Sequence, residues 1–161
     1  MNKHAEKTIC LVYLLAVLFS GCGCLGFGTT DVYLYPAKKM NADDLGQPLP
    51  TVVWVYQLKS KDRMEQADFK AIWKNDKGAL ADDLLEKKEI TIYPKEIQRV
   101  KLDEKEGVKY IAVVAIFRKP DEEANTWRKI IEVRSLTLGS QDIDLTVEQN
   151  VLKVGILKLE E

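Results

Sequence analysis

Along the chain the apolar positions change rhythm three times. Ile9 to Phe19 is an unbroken apolar run. Beyond residue 31 the apolar side chains alternate with polar ones in short segments rich in β-branched and aromatic residues. That is the pattern of strands with one buried face. Segments 32–35, 52–58, 89–93, 98–102, 108–118, 127–133, 143–148 and 151–159 carry it. In 52–58 the larger apolar side chains, Trp54, Tyr56 and Leu58, fall on even positions. They are expected on the core face, with Gln57 pointing away. The stretch Tyr110-Ile111-Ala112-Val113-Val114-Ala115-Ile116-Phe117 has no polar alternation beyond the tyrosine hydroxyl and predicts a central strand covered on both faces. Gln149-Asn150 separates the last two segments by two residues, which signals a hairpin.

The third rhythm interrupts the strands. Between 61 and 86, Met64, Phe69, Ile72 and Trp73, then Leu80, Leu84 and Leu85, recur at helical spacing, with Asp76-Lys77-Gly78 as a turn between two pieces. Two short amphipathic helices packed on a sheet are expected. Eight strands with one helical insertion and no regular strand–helix alternation predict a mainly β fold, a β-sandwich.

The first apolar run is of another kind. Lys3 and Lys7 precede it, and small residues and Gly-Cys-Gly-Cys follow. Eleven apolar residues are too few to span a hydrocarbon core, which needs about 20. Residues 1–21 therefore read as an export signal. Leu18-Phe19-Ser20-Gly21-Cys22 resembles a bacterial lipobox, which makes Cys22 the lipidated first residue of the mature chain. Phe19 stands where that pattern usually has Leu. Gly23 after Cys22, in place of Asp, suggests by resemblance to bacterial lipoproteins a passage to the outer membrane. Residues 22–30 then form a short tether and 31–161 the sandwich. With Cys10 removed and Cys22 acylated, Cys24 has no cysteine left to pair with.

Composition narrows the chemistry. Of 161 residues, 46% are hydrophobic and 30% charged, which is a folded chain rather than a disordered one. The 24 basic and 25 acidic residues nearly cancel, so the cationic surface that nucleic-acid binding requires is missing. Removing residues 1–21 takes away two lysines and one glutamate and leaves a net charge of −2. His4 is the only histidine, and it lies within the signal. The mature chain therefore has no catalytic histidine and no histidine ligand for zinc. No cofactor is expected apart from the covalent lipid at Cys22. Asn41 to Gly46 looks like the opening of a calcium loop, but that loop needs an oxygen ligand where Leu45 stands and a bidentate acid where Val52 stands. Asp103 and Glu123 sit in acidic clusters that could supply carboxylates for glycoside hydrolysis, or simply form solvated turns. No phosphate loop or nucleophile elbow is present, and nothing specific marks the chain as an enzyme.

The 40–50 connection is longer than a hairpin requires, and Gln47-Pro48-Leu49-Pro50 stiffens its exit. Ordered loops on rigid scaffolds are where binding residues gather.

Taken in order, Cys22, Asn41, Pro50 to Leu58, Ala67-Asp68-Phe69, Ile72-Trp73, Leu80, Asp82-Asp83-Leu84-Leu85, Tyr110 to Arg118 and Trp127-Arg128 resemble the TssJ family, outer-membrane lipoproteins of type VI secretion systems. The acidic stretch 119–125 departs from that pattern. The resemblance implies a transthyretin-like β-sandwich with a helical addition, and a structural rather than catalytic role. It implies an outer-membrane anchor, facing the periplasm, for the membrane complex. The partner would be the periplasmic region of a TssM-like protein, and through it TssL. In the family the first inter-strand loop contributes to that contact, which assigns partner binding to Asn41, Asp43, Asp44, Leu45, Gln47 and Leu49. A lipid-anchored sandwich that binds a small ligand or glycan is the alternative.

Overall fold

The computed structural model describes residues 28–134 and 139–155. The signal, Cys22 and the end of the last predicted strand lie outside them. Eight strands form two four-stranded sheets. The first sheet contains β1 (Thr29–Pro36), β4 (Gln98–Asp103), β7 (Ser140–Glu148) and β8 (Val151–Val154), in the order β4-β1-β7-β8. The second contains β2 (Thr51–Leu58), β3 (Leu84–Ile92), β5 (Tyr110–Ile116) and β6 (Arg128–Glu132), in the order β3-β2-β5-β6. Every pairing is antiparallel except β1 with β7, which run parallel with Thr29 opposite Ser140. Strand β1 begins at Thr29, two residues before the expected edge of the domain.

Helix α1 (Asp62–Gln66) and helix α2 (Phe69–Leu80) follow β2. Their apolar residues Met64, Phe69, Ile72 and Leu80 are buried. Helix α2 breaks at Asn75 (φ −156°, ψ 64°), next to the expected turn. There the Asn75 side chain accepts from the Gly78 N–H at 3.1 Å. A Cβ on residue 78 would meet the Asn75 amide at 2.2 Å, so a side chain there would displace Asn75 from this bond. The helical reading does not extend to Leu84 and Leu85. They open β3, with Leu84 paired to Leu58.

Trp54, Tyr56 and Leu58 are buried as expected, but Gln57 does not point away to solvent. Tyr56 on an even position hydrogen-bonds Asp76 of α2 at 3.0 Å, so the even face meets the helical insertion. The odd face meets the other sheet, and Gln57 is fully buried there. Its Nε2 donates to Glu86 at 2.7 Å and to the Asp103 carbonyl at 3.0 Å. Its Oε1 accepts from the Lys105 N–H at 2.8 Å. A polar residue inside the sandwich is tolerated because its amide donor and acceptor both find partners. Both faces of β2 are covered, and so are those of β5, where Ile111 to Ala115 are all buried as the pattern predicted.

The insertion is clamped by one cation. The Arg128 guanidinium donates to the carbonyls of Met64, Glu65 and Ala67, where α1 ends, and to Asn125. It supplies the donors that the last carbonyls of a helix lack. Burial pulls the Arg128 guanidinium below its ordinary value, with the Glu65 charge opposing. Phe69 meets the buried Trp127 edge to face at 5.3 Å, which joins α2 to the root of β6.

Candidate functional site

The two ends of the sandwich differ in what they carry. Strand β1 follows Gly28, whose carbonyl accepts from the Glu104 N–H beyond β4 at 3.0 Å, so the described chain enters the sandwich at this end. The opposite end gathers the 40–50 loop, the β3–β4 turn, the chain after β5 and the β7–β8 turn. Asp103 lies at the Gly28 end and Glu123 near the other, and both are exposed.

Asn41 is the latch of the loop. It is buried, with φ 46°, a left-handed conformation that asparagine tolerates better than most residues. Its N–H donates to the Gln149 carbonyl at 2.6 Å and its Nδ2 to the Pro50 carbonyl at 3.1 Å. Its Oδ1 accepts from the Arg118 N–H at 2.9 Å. One amide side chain and its backbone thus tie the loop to the β7–β8 turn, the start of β2 and the end of β5. Met40, just before it, is fully buried and roots the loop in the core.

Beyond the latch the loop is held by its own polar groups. Asp43 Oδ1 accepts from the N–H groups of Leu45 at 2.9 Å and Gln47 at 2.8 Å, an Asx turn. The Asp43 N–H donates to the Gln47 carbonyl at 2.9 Å, and Leu49 N–H to the Met40 carbonyl at 3.3 Å. Gly46 takes φ 77°, which closes the turn. Asp44 bonds Lys119 at 2.5 Å and Arg118 at 3.2 Å. Those two cations, Lys119 first, hold its carboxyl below the ordinary range.

The result is a braced loop with an apolar tip. Leu45 is 86% exposed, the most exposed large apolar side chain among the described residues. Of the six residues assigned by resemblance, Leu45, Gln47 and Asp44 are exposed and Asp43 and Leu49 are partly covered. Asn41 alone is buried, with its side chain bonded to Pro50 and Arg118.

Sequence reasoning missed five participants. Arg118, Lys119 and Gln149 brace the loop from other connections. No spacing in the sequence marks residues more than 70 positions apart as neighbours. Tyr93 and Ile97, on the β3–β4 turn, are 48% and 60% exposed at the same end. There Lys95 N–H joins the Pro36 carbonyl at 3.1 Å. A cleft of about 300 Å³ lined by Lys39, Ala42, Gly46, Gln149 and Asn150 borders the loop.

Fold and loop define a class of protein: a two-sheet sandwich with a helical insertion on one face and a braced loop at the end opposite Gly28 and the start of β1. Residues 28–150 match the family model described as type VI secretion lipoprotein, VasD, EvfM, TssJ, and the chain belongs to that family. It is a lipoprotein family of the type VI secretion membrane complex. Solved structures agree. The crystal structure of the type VI lipoprotein TssJ1 from Pseudomonas aeruginosa is 25% identical, with 80% of this chain and 95% of that chain covered and a TM-score of 0.71. A chain of a structure described as a type VI membrane complex is 27% identical, with 81% and 99% covered and a TM-score of 0.74. A chain in a structure of the TssM C-terminal domain from EAEC shares the fold at 23% identity, with 80% and 98% covered and a TM-score of 0.67. No curated protein matches.

Proposed function

We propose that this chain holds the type VI membrane complex to the outer membrane. Lipid on Cys22 anchors one end of the sandwich, and the braced loop at the other end binds the periplasmic region of a TssM-like protein. The observation that carries this reading is the opposition of the two ends. The tether leaves beside Gly28, while the ordered loop with its exposed Leu45 projects from the far side. Five residues separate Cys22 from Gly28, and at about 3.4 Å per residue that span is on the order of 20 Å. The domain is thereby kept at the membrane with its loop turned toward the periplasm. A loop whose backbone is already fixed by Asn41 and Asp43 loses little entropy on binding.

The comparison with the EAEC structure supports the same partner. The TssM fragment that its description names is longer than this whole chain, so this chain cannot cover 98% of it. A structure described by that TssM domain thus holds a chain with the fold of this one.

The test has two arms. Cys22→Ala should leave a folded protein that no longer fractionates with outer membranes. Replacement of residues 41–49 by a Gly/Ser linker in the lipidated protein should keep fractionation and abolish capture of the TssM-like periplasmic region. Capture that survives loop replacement would move the interface elsewhere.

A further inference from the structure

The cleft beside the braced loop has on its far wall a turn that spends its backbone and keeps its side chains free. The Gln149 carbonyl accepts from the Asn41 N–H at 2.6 Å, and the Asn150 carbonyl accepts from the Thr126 hydroxyl at 3.3 Å. Glu148 pairs with Val151 and closes the β7–β8 hairpin around the two residues. The turn is thus fixed without its side-chain amides. Asn150 Oδ1 is buried and has no partner, and neither the Asn150 nor the Gln149 amide nitrogen donates to a group among the described residues. A carboxamide carries a donor and an acceptor side by side, and a buried acceptor without a donor is destabilising. The rest of the lining is small or cationic. Ala42 and Gly46 form the loop side, and a Cβ at Gly46 would meet nothing within 4 Å. Lys39, which is exposed, is the one charged residue that lines the cleft. The acids near it in the chain and on the hairpin are engaged elsewhere. Asp43 holds the Leu45 and Gln47 N–H groups, Asp44 pairs with Arg118 and Lys119, and Glu148 pairs with Lys153.

We propose that this cleft receives a short extended segment of the TssM-like partner, with a peptide group paired to the Asn150 carboxamide and an Asp or Glu side chain set against Lys39. It rests on the loop as the partner contact, and it names the chemistry that this contact reads. The lining selects the occupant. Small-molecule pockets run from about 300 to 1,000 Å³ and are lined mostly by apolar and aromatic side chains. This cleft, at about 300 Å³, stands at the lower limit, and Ala42 supplies its one apolar side chain. A compact organic ligand would bury little there. A neutral sugar would meet the carboxamides and leave the Lys39 ammonium without a counter-charge. An extended acidic segment uses both. Its N–H and C=O match the acceptor and donor of a carboxamide, and its carboxylate answers the ammonium. Position favours the same occupant. Ala42 and Gly46 belong to the loop as well as to the cleft, so a partner that covers exposed Leu45 has its next residues at the cleft mouth. The Asn41 N–H ties the loop to the Gln149 carbonyl across the cleft, which holds the two walls in place before the partner arrives.

The test uses the lipidated full-length protein, titrated with the periplasmic region of the TssM-like protein. Lys39→Glu and Asn150→Ala are the informative variants. Neither residue takes a positive φ and neither side chain bonds within the described residues, so both variants should fold, which circular dichroism and thermal unfolding verify. At about 0.1 M salt Lys39→Glu should weaken binding at least about tenfold, while Lys39→Arg stays within about twofold of the unaltered protein. At about 1 M salt, where the Debye length falls to about 3 Å, the Lys39→Glu defect should shrink to less than about threefold. Asn150→Ala should weaken binding about five- to tenfold at both salt concentrations. Leu45→Ser reports on the underlying reading separately. Weaker binding by Leu45→Ser, together with unaltered binding by Lys39→Glu and Asn150→Ala, would keep the loop contact and overturn the cleft. A Lys39→Glu defect equally large at high salt would overturn the acidic segment. Absence of binding by the unaltered protein would refute the loop contact and the cleft with it.

Discussion

Asn41 and Arg128 each gather several backbone groups around one polar side chain, yet they hold different kinds of structure. Arg128 fastens the insertion by the carbonyls of Met64, Glu65 and Ala67, and that insertion is also anchored by buried Met64, Phe69, Ile72 and Leu80. Asn41 fastens a loop whose buried apolar anchor is Met40, at its root. Apolar burial contributes roughly 1.5–3 kcal/mol for each large side chain, so the insertion remains docked without its clamp. The loop has no such reserve beyond Met40. Its shape depends on hydrogen bonds that water can replace. One region is built for stability, and the other holds a shape at the surface.

The largest expected effect breaks the clamp. Arg128→Ala leaves three carbonyls near the end of α1 without their charged donor and opens space beside Trp127. The cost is about 3 kcal/mol, or roughly 10 °C in Tm for a domain of this size. Thermal unfolding measures it. Capture of the TssM-like region should be unchanged below the transition, because the hydrogen bonds of Arg128 go to the insertion and to Asn125 rather than to the loop.

Asn41→Ala removes two side-chain bonds and places alanine at positive φ, which costs about 2 kcal/mol. Here the local consequence exceeds the global one. Hydrogen exchange at the Asp43, Gln47 and Leu49 amides should accelerate toward that of an open loop, while β2 and β5 stay protected. Equal loss of protection across the sheets would mean that Asn41 belongs to the core rather than to the loop.

Acid sharpens the comparison further. Asp31 is buried and bonded to Arg99 at 2.7 and 3.0 Å, and the Arg99 guanidinium holds its carboxyl below the ordinary range. Burial raises the Asp76 carboxyl, but hydrogen bonds from Lys87 and Tyr56 outweigh it and leave the group lowered. A carboxyl depressed in the folded state contributes stability above its unfolded value, about 3.9, and that contribution is lost as pH falls through the folded value. Denaturant midpoints should therefore drop below about pH 4, and Asp31→Asn should flatten part of the drop. The loop feels acid through Asp44, which is exposed, so its loss should show in loop exchange rather than in the midpoint.

Much of the scaffold was legible because it follows from burial. The apolar run in β5 announced a strand covered on both sides, and the two halves of the insertion announced their break near Asp76. What misled was local pattern without its neighbours. Leu84 and Leu85 continue a helical spacing, and the charged Glu86-Lys87-Lys88-Glu89 that follows hides a strand. Those charges sit on an edge strand, where Lys87 covers the Trp54 ring at 3.5 Å and charged side chains are tolerated. Gln57 reads as a surface residue until the Asp103 carbonyl and Lys105 N–H come to meet it from the other sheet. The loop was legible by its length and its prolines. Its latch was not, since Gln149 and Arg118 reach Asn41 only through the fold.

The smallest expected effect on stability is at the tip of the loop. Leu45→Ser changes a side chain that packs on nothing, so unfolding should shift by less than about 0.5 kcal/mol. The same substitution decides the central claim that the braced loop is the partner contact. Affinity of the lipidated protein for the TssM-like periplasmic region should fall at least about tenfold, the equivalent of 1.4 kcal/mol. Affinity equal to that of the unaltered protein would contradict the claim.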